Sequence, residues 1–281
     1  MQKTILITGS TDGIGLETAK TLYSQGHHVL LHGRNPAKLE AAEKTLSGLS
    51  GGGRVESYLA DLSRMADVAT LGQAISESHS RLDVVINNAG IFRTTDTFTN
   101  DGLDIRFAVN TFAPCLLTRR LLPLLGPAAR VVNLSSAAQS PVNLEALAGR
   151  TRIPDQLNAY AQSKLANLLF TAELDRRAQG AGWDLVAVAA GVNSRIIEML
   201  DDHPGDFRPP KTTRAAKAST ASAWSSCCGG SRKDFASWLS STSDSSSKLF
   251  LALRTTCSYS SAFNCCRFLL NISSALRNRW Y

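Results

Sequence analysis

The chain has 281 residues, of which 43% are apolar and 19% are charged, a composition that is typical of a globular protein and excludes a wholly disordered chain. No run reaches the roughly 18 consecutive apolar residues of a membrane-spanning helix, so we expect a soluble chain without a membrane span. The net charge of +7 belongs to the C-terminal part, because residues 1–203 hold 19 Lys and Arg against 20 Asp and Glu, and residues 204–281 hold 11 against 3.

From Thr4 to Ala190 the sequence alternates between short apolar runs and longer amphipathic stretches. The short runs predict six β-strands: Thr4–Thr8, His28–His32, Arg54–Ala60, Asp83–Asn87, Arg130–Ser135 and Asp184–Ala190. The longer stretches predict five helices: Gly13–Ser24, Pro36–Leu46, Arg64–Ser80, Asp101–Leu125 and Ala159–Gln179. This alternation predicts an α/β fold with a doubly wound parallel sheet of the Rossmann type, covered on both faces.

A glycine-rich motif lies between the first predicted strand and the first predicted helix. It reads Thr8-Gly9-Ser10-Thr11-Asp12-Gly13-Ile14-Gly15. Glycines let backbone amides approach a pyrophosphate, and a helix N-terminus adds unpaired N–H groups and a positive dipole end. A plain strand-to-helix turn is the alternative, but the flanking elements favour a dinucleotide site that contains Gly9, Ser10, Thr11, Gly13, Ile14 and Gly15.

The next two strand ends indicate which dinucleotide is preferred. An acidic residue for the ribose hydroxyls of NAD is absent after the second strand, where Arg34 and Asn35 stand instead. Arg34 can pair with a 2′-phosphate, which predicts NADP(H), with NAD(H) as the alternative; an exposed, solvated Arg would be the plainer interpretation. Asp61, followed by Leu62, is positioned to accept from the adenine amino group or to cap a helix.

The fourth strand ends in Asn87-Asn88-Ala89-Gly90. Asn side chains can tie neighbouring strand ends together, and the small residues Ala89 and Gly90 leave room for a ribose, although a plain turn favours the same residue types.

Tyr160 and Lys164 carry the most specific chemical signal. Their spacing of four places them on one face of a helix. An ammonium about 4–5 Å from a phenol stabilises the phenolate by roughly 3–4 kcal/mol, which brings tyrosine into the working range for proton transfer. Ser136, after the fifth strand, can donate a hydrogen bond to a substrate oxygen, with Ser135 as the fallback. A pair of ordinary surface residues is the alternative for Tyr160 and Lys164.

These residues together resemble the short-chain dehydrogenase/reductase superfamily over about residues 3–200. The ordered set is Thr8–Gly15, Asp61, Asn87–Gly90, Asn110, Ser136, Tyr160 and Lys164. The separation of Ser136 from Tyr160 and the run of residues 159–170 resemble its retinol-dehydrogenase-like and WW-domain-containing-oxidoreductase-like branch. The resemblance implies that Tyr160 is the acid–base, Lys164 binds the nicotinamide ribose, Ser136 orients the substrate oxygen and Asn110 holds a relay water.

The chain departs from the family after the sixth strand. Ala190 stands where the family has a proline, and Gly191 is retained. Ser194 takes the place of the family's threonine that contacts the nicotinamide only if one residue has been lost from this segment. We therefore predict a catalytic dinucleotide-binding domain at residues 1–203 and a Ser-rich basic segment of atypical composition at residues 204–281. That segment is interpreted as an interaction tail, a divergent substrate cap or the product of a faulty gene model.

The cysteines and the N-terminus indicate which sites and which cellular compartment to expect. Five of the six cysteines follow residue 203, and none forms a CxxC pair, so we expect no metal site. We expect no disulfide framework either, because nothing at the N-terminus is typical of a secretory signal. Without a secretory signal, the prediction is a cytoplasmic protein.

The sequence thus predicts an NADP(H)-dependent oxidoreductase acting on a carbonyl or alcohol, such as an aldehyde, a ketone or a retinoid-like or lipid-like molecule. A homodimer is expected by analogy with the family, and no nucleic-acid partner is expected. The alternative is a catalytically impaired nucleotide-binding protein with a basic interaction tail.

Overall fold

The computed structural model describes residues 1–181 and 184–190. Within them the chain forms an α/β fold around one parallel sheet, as predicted. The predicted boundary at residue 203 and the segment 204–281 lie outside the described residues, as do Gly191 and Ser194.

The sheet contains six strands in the order β3-β2-β1-β4-β5-β6, all paired in parallel. Their bounds are β1 Thr4–Ile7, β2 His28–Gly33, β3 Arg54–Leu59, β4 Leu82–Asn87, β5 Leu125–Leu134 and β6 Leu185–Ala190. The strand order reverses between β1 and β4. Ligands of doubly wound sheets bind at the carboxyl ends of the strands beside such a reversal.

Helices connect the strands. Their bounds are α1 Gly13–Ser24, α2 Pro36–Ser47, α3 Met65–Ser78, α4 Ile105–Phe107, α5 Ala113–Leu121, α6 Leu144–Leu147 and α7 Gln156–Ala181. A π-helical turn, Ala108–Phe112, joins α4 to α5, and a 3₁₀ turn, Leu122–Leu124, follows α5. The described helices include none that is both long and apolar enough to span a bilayer.

Polar caps set where the first two helices begin. The Asp12 side chain accepts from the Gly13 amide at the start of α1. Asn35 accepts from the Lys38 amide and is followed by Pro36 in the first turn of α2. Both arrangements satisfy amides that a helix leaves unpaired at its start, and proline is favoured there because it has no N–H.

The core lies on both faces of the central strands. Every residue of β2 is buried, and Ile5, Leu6 and Ile7 of β1 are fully inaccessible. The expectation of two covered faces holds for these strands, whereas the edge strand β3 alternates between exposed and half-buried residues, with Leu59 57% exposed. The carboxyl ends of the central strands are therefore carried on a rigid, well-packed base.

The fourth predicted helix, Asp101–Leu125, is wrong at both ends. Helical structure begins at Ile105, after an antiparallel bridge between Phe98 and Asp104, and the Asp104 side chain caps the Arg106 amide. At the other end Leu125 belongs to β5, because it pairs with Leu82 of β4. Both corrections arise from non-local pairing, which periodicity along the chain does not reveal.

Candidate functional site

A cavity of about 430 Å³ opens at the carboxyl ends of the strands, where the strand order reverses. Its volume lies within the range of small-molecule sites. Its lining residues are Gly9, Thr11, Asp12, Ile14, Gly15, His32, Gly33, Arg34, Ala60, Asp61, Leu62, Asn88, Ala89, Gly90, Ile91, Phe92, Val109, Leu134, Ser135, Tyr160 and Lys164. Twelve predicted site residues are among them, and they come from four strand ends and two helices.

The glycine motif forms a tight loop between β1 and α1. Gly9 has a φ of +64°, a conformation that side chains rarely adopt, and a Cβ there would lie 2.9 Å from the Ala89 Cα atom. A Cβ on Gly15 would collide with the Gly9 carbonyl oxygen and the Asn88 amide nitrogen. Glycine at both positions therefore lets the loop, the start of α1 and the loop after β4 pack closely beside the cavity, at a helix N-terminus of the kind that binds anions.

Asn88 and Asn87 tie strand ends together, as the sequence predicted. The Asn88 amide donates to the carbonyl oxygens of Thr8 and Gly9, both at 2.9 Å. The Asn87 side-chain amide donates to the side-chain oxygen of Asn133, on the neighbouring strand β5, at 2.7 Å. The loops after β1 and β4 and the end of β5 are thereby held in one arrangement.

Arg34 and Asp61 line one end of the cavity. Arg34 is exposed at the end of β2. Asp61 is half-buried and accepts from the Ser63 amide at 2.9 Å, while Arg64, and not Asp61, is the N-cap of α3. Lys38 adds a second cation nearby, since its Nζ lies 3.1 Å from the carboxylate of the cavity residue Asp12. That neighbour lowers the pKa of Asp12.

Lys164 and Tyr160 meet on α7, as their spacing predicted. Lys164 is 5% exposed, and its Nζ donates to the Leu134 carbonyl oxygen at 2.8 Å. Burial lowers the pKa of Lys164 to about 8. The same Nζ lies 5.8 Å from the centre of the Tyr160 ring, so a cation and a phenol share this end of the cavity.

Asn110 lies behind the cavity, in the π-helical turn. Its amide donates to the Ile91 carbonyl oxygen and to the Ser163 hydroxyl, both at 2.9 Å, and its carbonyl accepts from the Ile91 amide at 2.8 Å. Asn110 therefore connects the loop after Gly90 to the turn of α7 that precedes Lys164. π-helical turns are frequent at functional sites, and this one directs Asn110 between those two segments.

The two serines after β5 have different surroundings. Ser135 lines the cavity, and its buried hydroxyl has no hydrogen-bond partner within the described part of the chain. Ser136 does not line the cavity, and its hydroxyl accepts from the Ala138 amide at 3.2 Å. The predicted donor Ser136 therefore lies beside the cavity, whereas Ser135 lines it.

Phe92 adds an aromatic wall that the sequence reasoning missed. Its ring centre lies 4.8 Å from that of Tyr160, and Phe92 is 39% exposed. The Arg93 guanidinium lies 5.2 Å from the Phe92 ring centre. An exposed aromatic ring on the phenol favours apolar ligands at this end of the cavity.

Several predicted residues lie near the cavity without lining it. These are Ser10, Gly13, Asn35, Asn110 and Ser136. Other lining residues were not predicted as site residues: Asp12, His32, Gly33, Ala60, Ile91, Phe92, Val109 and Leu134. Most of them are direct neighbours of predicted residues, so a window of one or two residues around each motif would have found them.

The chain is similar to known proteins over the same region. A family model described as short chain dehydrogenase matches residues 3–198. Retinol dehydrogenase 13 of Homo sapiens is 38% identical over 194 residues, which are 68% of this chain and 59% of that protein. The chain spans about three fifths of the length of the curated relatives it matches.

Solved structures show the same similarity. The crystal structure of a Mycobacterium paratuberculosis protein has 40% sequence identity and a TM-score of 0.60, with 68% of each chain covered. A metagenomic short-chain oxidoreductase in complex with NADP has 28% identity and a TM-score of 0.54, over 67% of this chain and 82% of that one.

Proposed function

The chain belongs to the short-chain dehydrogenase family, and on that premise we propose that it is an NADP(H)-dependent oxidoreductase that interconverts a carbonyl and an alcohol. One observation carries the proposal: the glycine loop, Arg34, Tyr160 and Lys164 line the same cavity. The cofactor-binding end and the acid–base end therefore belong to one cavity. Hydride transfer requires this, because cofactor and substrate must be bound next to each other.

The cavity residues fit a dinucleotide. Gly9 and Gly15 line the cavity at the start of α1, where a glycine loop and a helix N-terminus can hold the phosphates. Arg34 supplies a guanidinium at the end of β2, where NAD-preferring sites carry an acidic residue. The related metagenomic oxidoreductase holds NADP, which supports NADP(H) over NAD(H).

When bound, NADP(H) supplies or accepts the hydride. The chain's own residues handle the oxygen of the substrate. Tyr160 donates the proton to that oxygen in reduction and accepts it in oxidation. The Lys164 ammonium, 5.8 Å from the Tyr160 ring, stabilises the negative charge that develops there. Ser136, or Ser135 in its place, donates a hydrogen bond that holds the oxygen towards Tyr160.

Asn110 supports this arrangement through the backbone. Its three hydrogen bonds fix the Ile91 peptide and the turn of α7 before Lys164. A water held next to Lys164 would complete the proton relay that the family resemblance implies. Asn110 contributes to it by keeping the Lys164 turn in register with the loop after Gly90.

The substrate is an apolar aldehyde, ketone or alcohol. Phe92, exposed against Tyr160, presents apolar surface beside the phenol. Relatives named as retinol dehydrogenases support a retinoid-like or lipid-like molecule. The cytoplasmic location and the homodimer stay predictions, which cell fractionation and sedimentation test.

The test is turnover by the Tyr160→Phe variant. We expect NADPH oxidation with a panel of aldehydes and ketones by the wild-type chain, and a loss of about 10²–10⁴-fold in the variant. The NADPH dissociation constant should change by less than about twofold, because the ring remains. Tyr58→Phe is the matched control, since Tyr58 lies on β3 outside the cavity lining and bonds to His79.

Two outcomes would refute parts of the proposal. Retention of more than about a few per cent of activity by Tyr160→Phe would refute the acid–base role of Tyr160. Tight NADPH binding without turnover of any carbonyl would favour the alternative, a catalytically impaired nucleotide-binding protein.

A further inference from the structure

His32 connects three strand ends at the wall of the cavity. It is the next-to-last residue of β2, is 2% exposed and lines the cavity. Its ring Nδ1 lies 3.1 Å from the Gly9 amide nitrogen of the glycine loop, and its Nε2 lies 3.2 Å from the Ala60 carbonyl oxygen at the end of β3. One imidazole therefore joins the loop after β1 to the residue that precedes Asp61.

The two contacts require one protonation state of the ring. A backbone N–H can only donate, so Nδ1 of His32 must accept from Gly9, and the ring proton must be on Nε2, where it donates to Ala60. A protonated ring would direct a second N–H at the Gly9 amide. Burial disfavours that state, since it lowers the pKa of His32 to about 4.

The backbone of His32 holds the next residue of the loop. The Ser10 amide donates to the His32 carbonyl oxygen at 3.0 Å, and the His32 amide donates to the Ser10 hydroxyl at 2.9 Å. The fit is tight on the following residue as well, because a Cβ on Gly33 would collide with the Thr11 methyl group. The glycine loop is thus bound to β2 at successive positions.

From this geometry we propose that the neutral His32 ring is a positioning residue for the cofactor. The ring holds the Gly9 loop and the end of β3, next to Asp61, at the separation that the pyrophosphate and adenosine parts of NADP(H) need. The inference rests on the proposed function, and it adds a residue that acts through Gly9 and Ala60. Preorganisation of this kind increases the affinity for the cofactor. A loop that is already ordered loses no further conformational entropy when the cofactor binds.

Three substitutions of His32 separate its two bonds. In His32→Asn an amide oxygen replaces Nδ1 and accepts from Gly9, while the bond to Ala60 is lost. In His32→Gln an amide nitrogen replaces Nε2 and donates to Ala60, while the bond to Gly9 is lost. His32→Leu removes both bonds. His28→Asn is the matched control, because His28 lies on the same strand outside the cavity lining.

The readout is the NADPH dissociation constant of the folded variants, with kcat at saturating NADPH. We expect His32→Leu to bind NADPH at least about tenfold more weakly, His32→Asn to recover most of the affinity, and kcat to change by less than about threefold. Equal affinity of wild-type and His32→Leu would overturn the inference alone. Failure of the wild-type chain to bind NADPH would refute the proposed function, and this inference with it.

A second measurement does not depend on folding of the variants. Nitrogen NMR of the wild-type ring should show His32 with the proton on Nε2 at neutral pH, and a hydrogen-bond coupling between the Gly9 amide and Nδ1. A proton on Nδ1, or a rapidly exchanging Gly9 amide, would overturn the inference even if His32→Leu does not fold.

Discussion

Replacement of Lys164 by Met should make the protein more stable at neutral pH and remove its activity. Lys164 is 5% exposed in α7 and keeps its ammonium close to Tyr160. Met has a similar length without a charge and fills the same space. The variant therefore separates two effects of the charge: its destabilisation of the folded state and its contribution to catalytic activity.

The size of the effect follows from the pKa of Lys164, which falls from 10.5 to about 8 on folding. This shift corresponds to a penalty of about 3 kcal/mol for the buried ammonium at pH 7. The lost hydrogen bond from Nζ to the Leu134 carbonyl offsets about 1.5 kcal/mol of it, and Asn167 still donates to that oxygen at 3.2 Å. We expect a net stabilisation of about 1–2 kcal/mol at pH 7.

The extra stability of Lys164→Met over the wild type should vanish at alkaline pH. Below pH 8 the lysine is protonated in both states, so the folded state carries the full penalty. Between pH 8 and 10.5 the unfolded chain binds the extra proton, stability of the wild type rises with pH, and at pH 10 the penalty is about 1 kcal/mol or less.

Urea unfolding of both proteins at pH 7 and pH 10 measures this difference, and NADPH oxidation measures the activity, which should fall by about 100-fold or more. Lys44→Met is the control, because Lys44 is exposed in the last turn of α2, and its loss should cost only a few tenths of a kcal/mol. A Lys164→Met variant that is less stable at pH 7, or a stability difference that does not change with pH, would show that the buried ammonium does not destabilise the fold.

Three further predictions concern the cavity lining and the serine beside it. Gly15→Ala should weaken NADPH binding at least about tenfold in a fluorescence titration, because its Cβ collides with the Gly9 carbonyl; Gly180→Ala, with open space around its Cβ, should stabilise α7 by about 0.5–1 kcal/mol in urea unfolding. Phe92→Ala should raise KM for large apolar carbonyls about tenfold while small aldehydes change little, and equal changes would contradict an apolar wall. Ser136→Ala should lower kcat by about 100-fold and Ser135→Ala only slightly; the reverse order in steady-state kinetics would assign the substrate hydrogen bond to Ser135.

Local signals predicted the parts of the site that depend on neighbours in sequence. The helix α1 begins and ends where the sequence predicted, because Asp12 caps it and a glycine-rich turn precedes it. Tyr160 and Lys164 meet because a spacing of four is one helical turn, whatever surrounds the helix. The carboxyl ends of parallel strands share one edge, so Arg34 and Asp61 were expected near the same ligand.

Contacts between distant parts of the chain could not be predicted in this way. The early start of β5 depends on the pairing of Leu125 with Leu82, and the sequence near Leu125 contains no pattern that predicts this pairing. The role of His32 depends on Gly9 and Ala60, and a histidine at a strand end is equally typical of a plain core or surface position. Asn110 was recognised only through the family resemblance, since its π-helical turn has no local signature in the sequence.

A fluorescence titration of the full-length chain with NADPH and NADH, side by side, tests whether the cavity is an NADP(H) site. We expect saturable NADPH binding at least about tenfold tighter than NADH binding, and loss of that preference in Arg34→Ala, because we propose that this cavity residue pairs with the 2′-phosphate. No binding of either nucleotide, or tighter binding of NADH, would contradict the account.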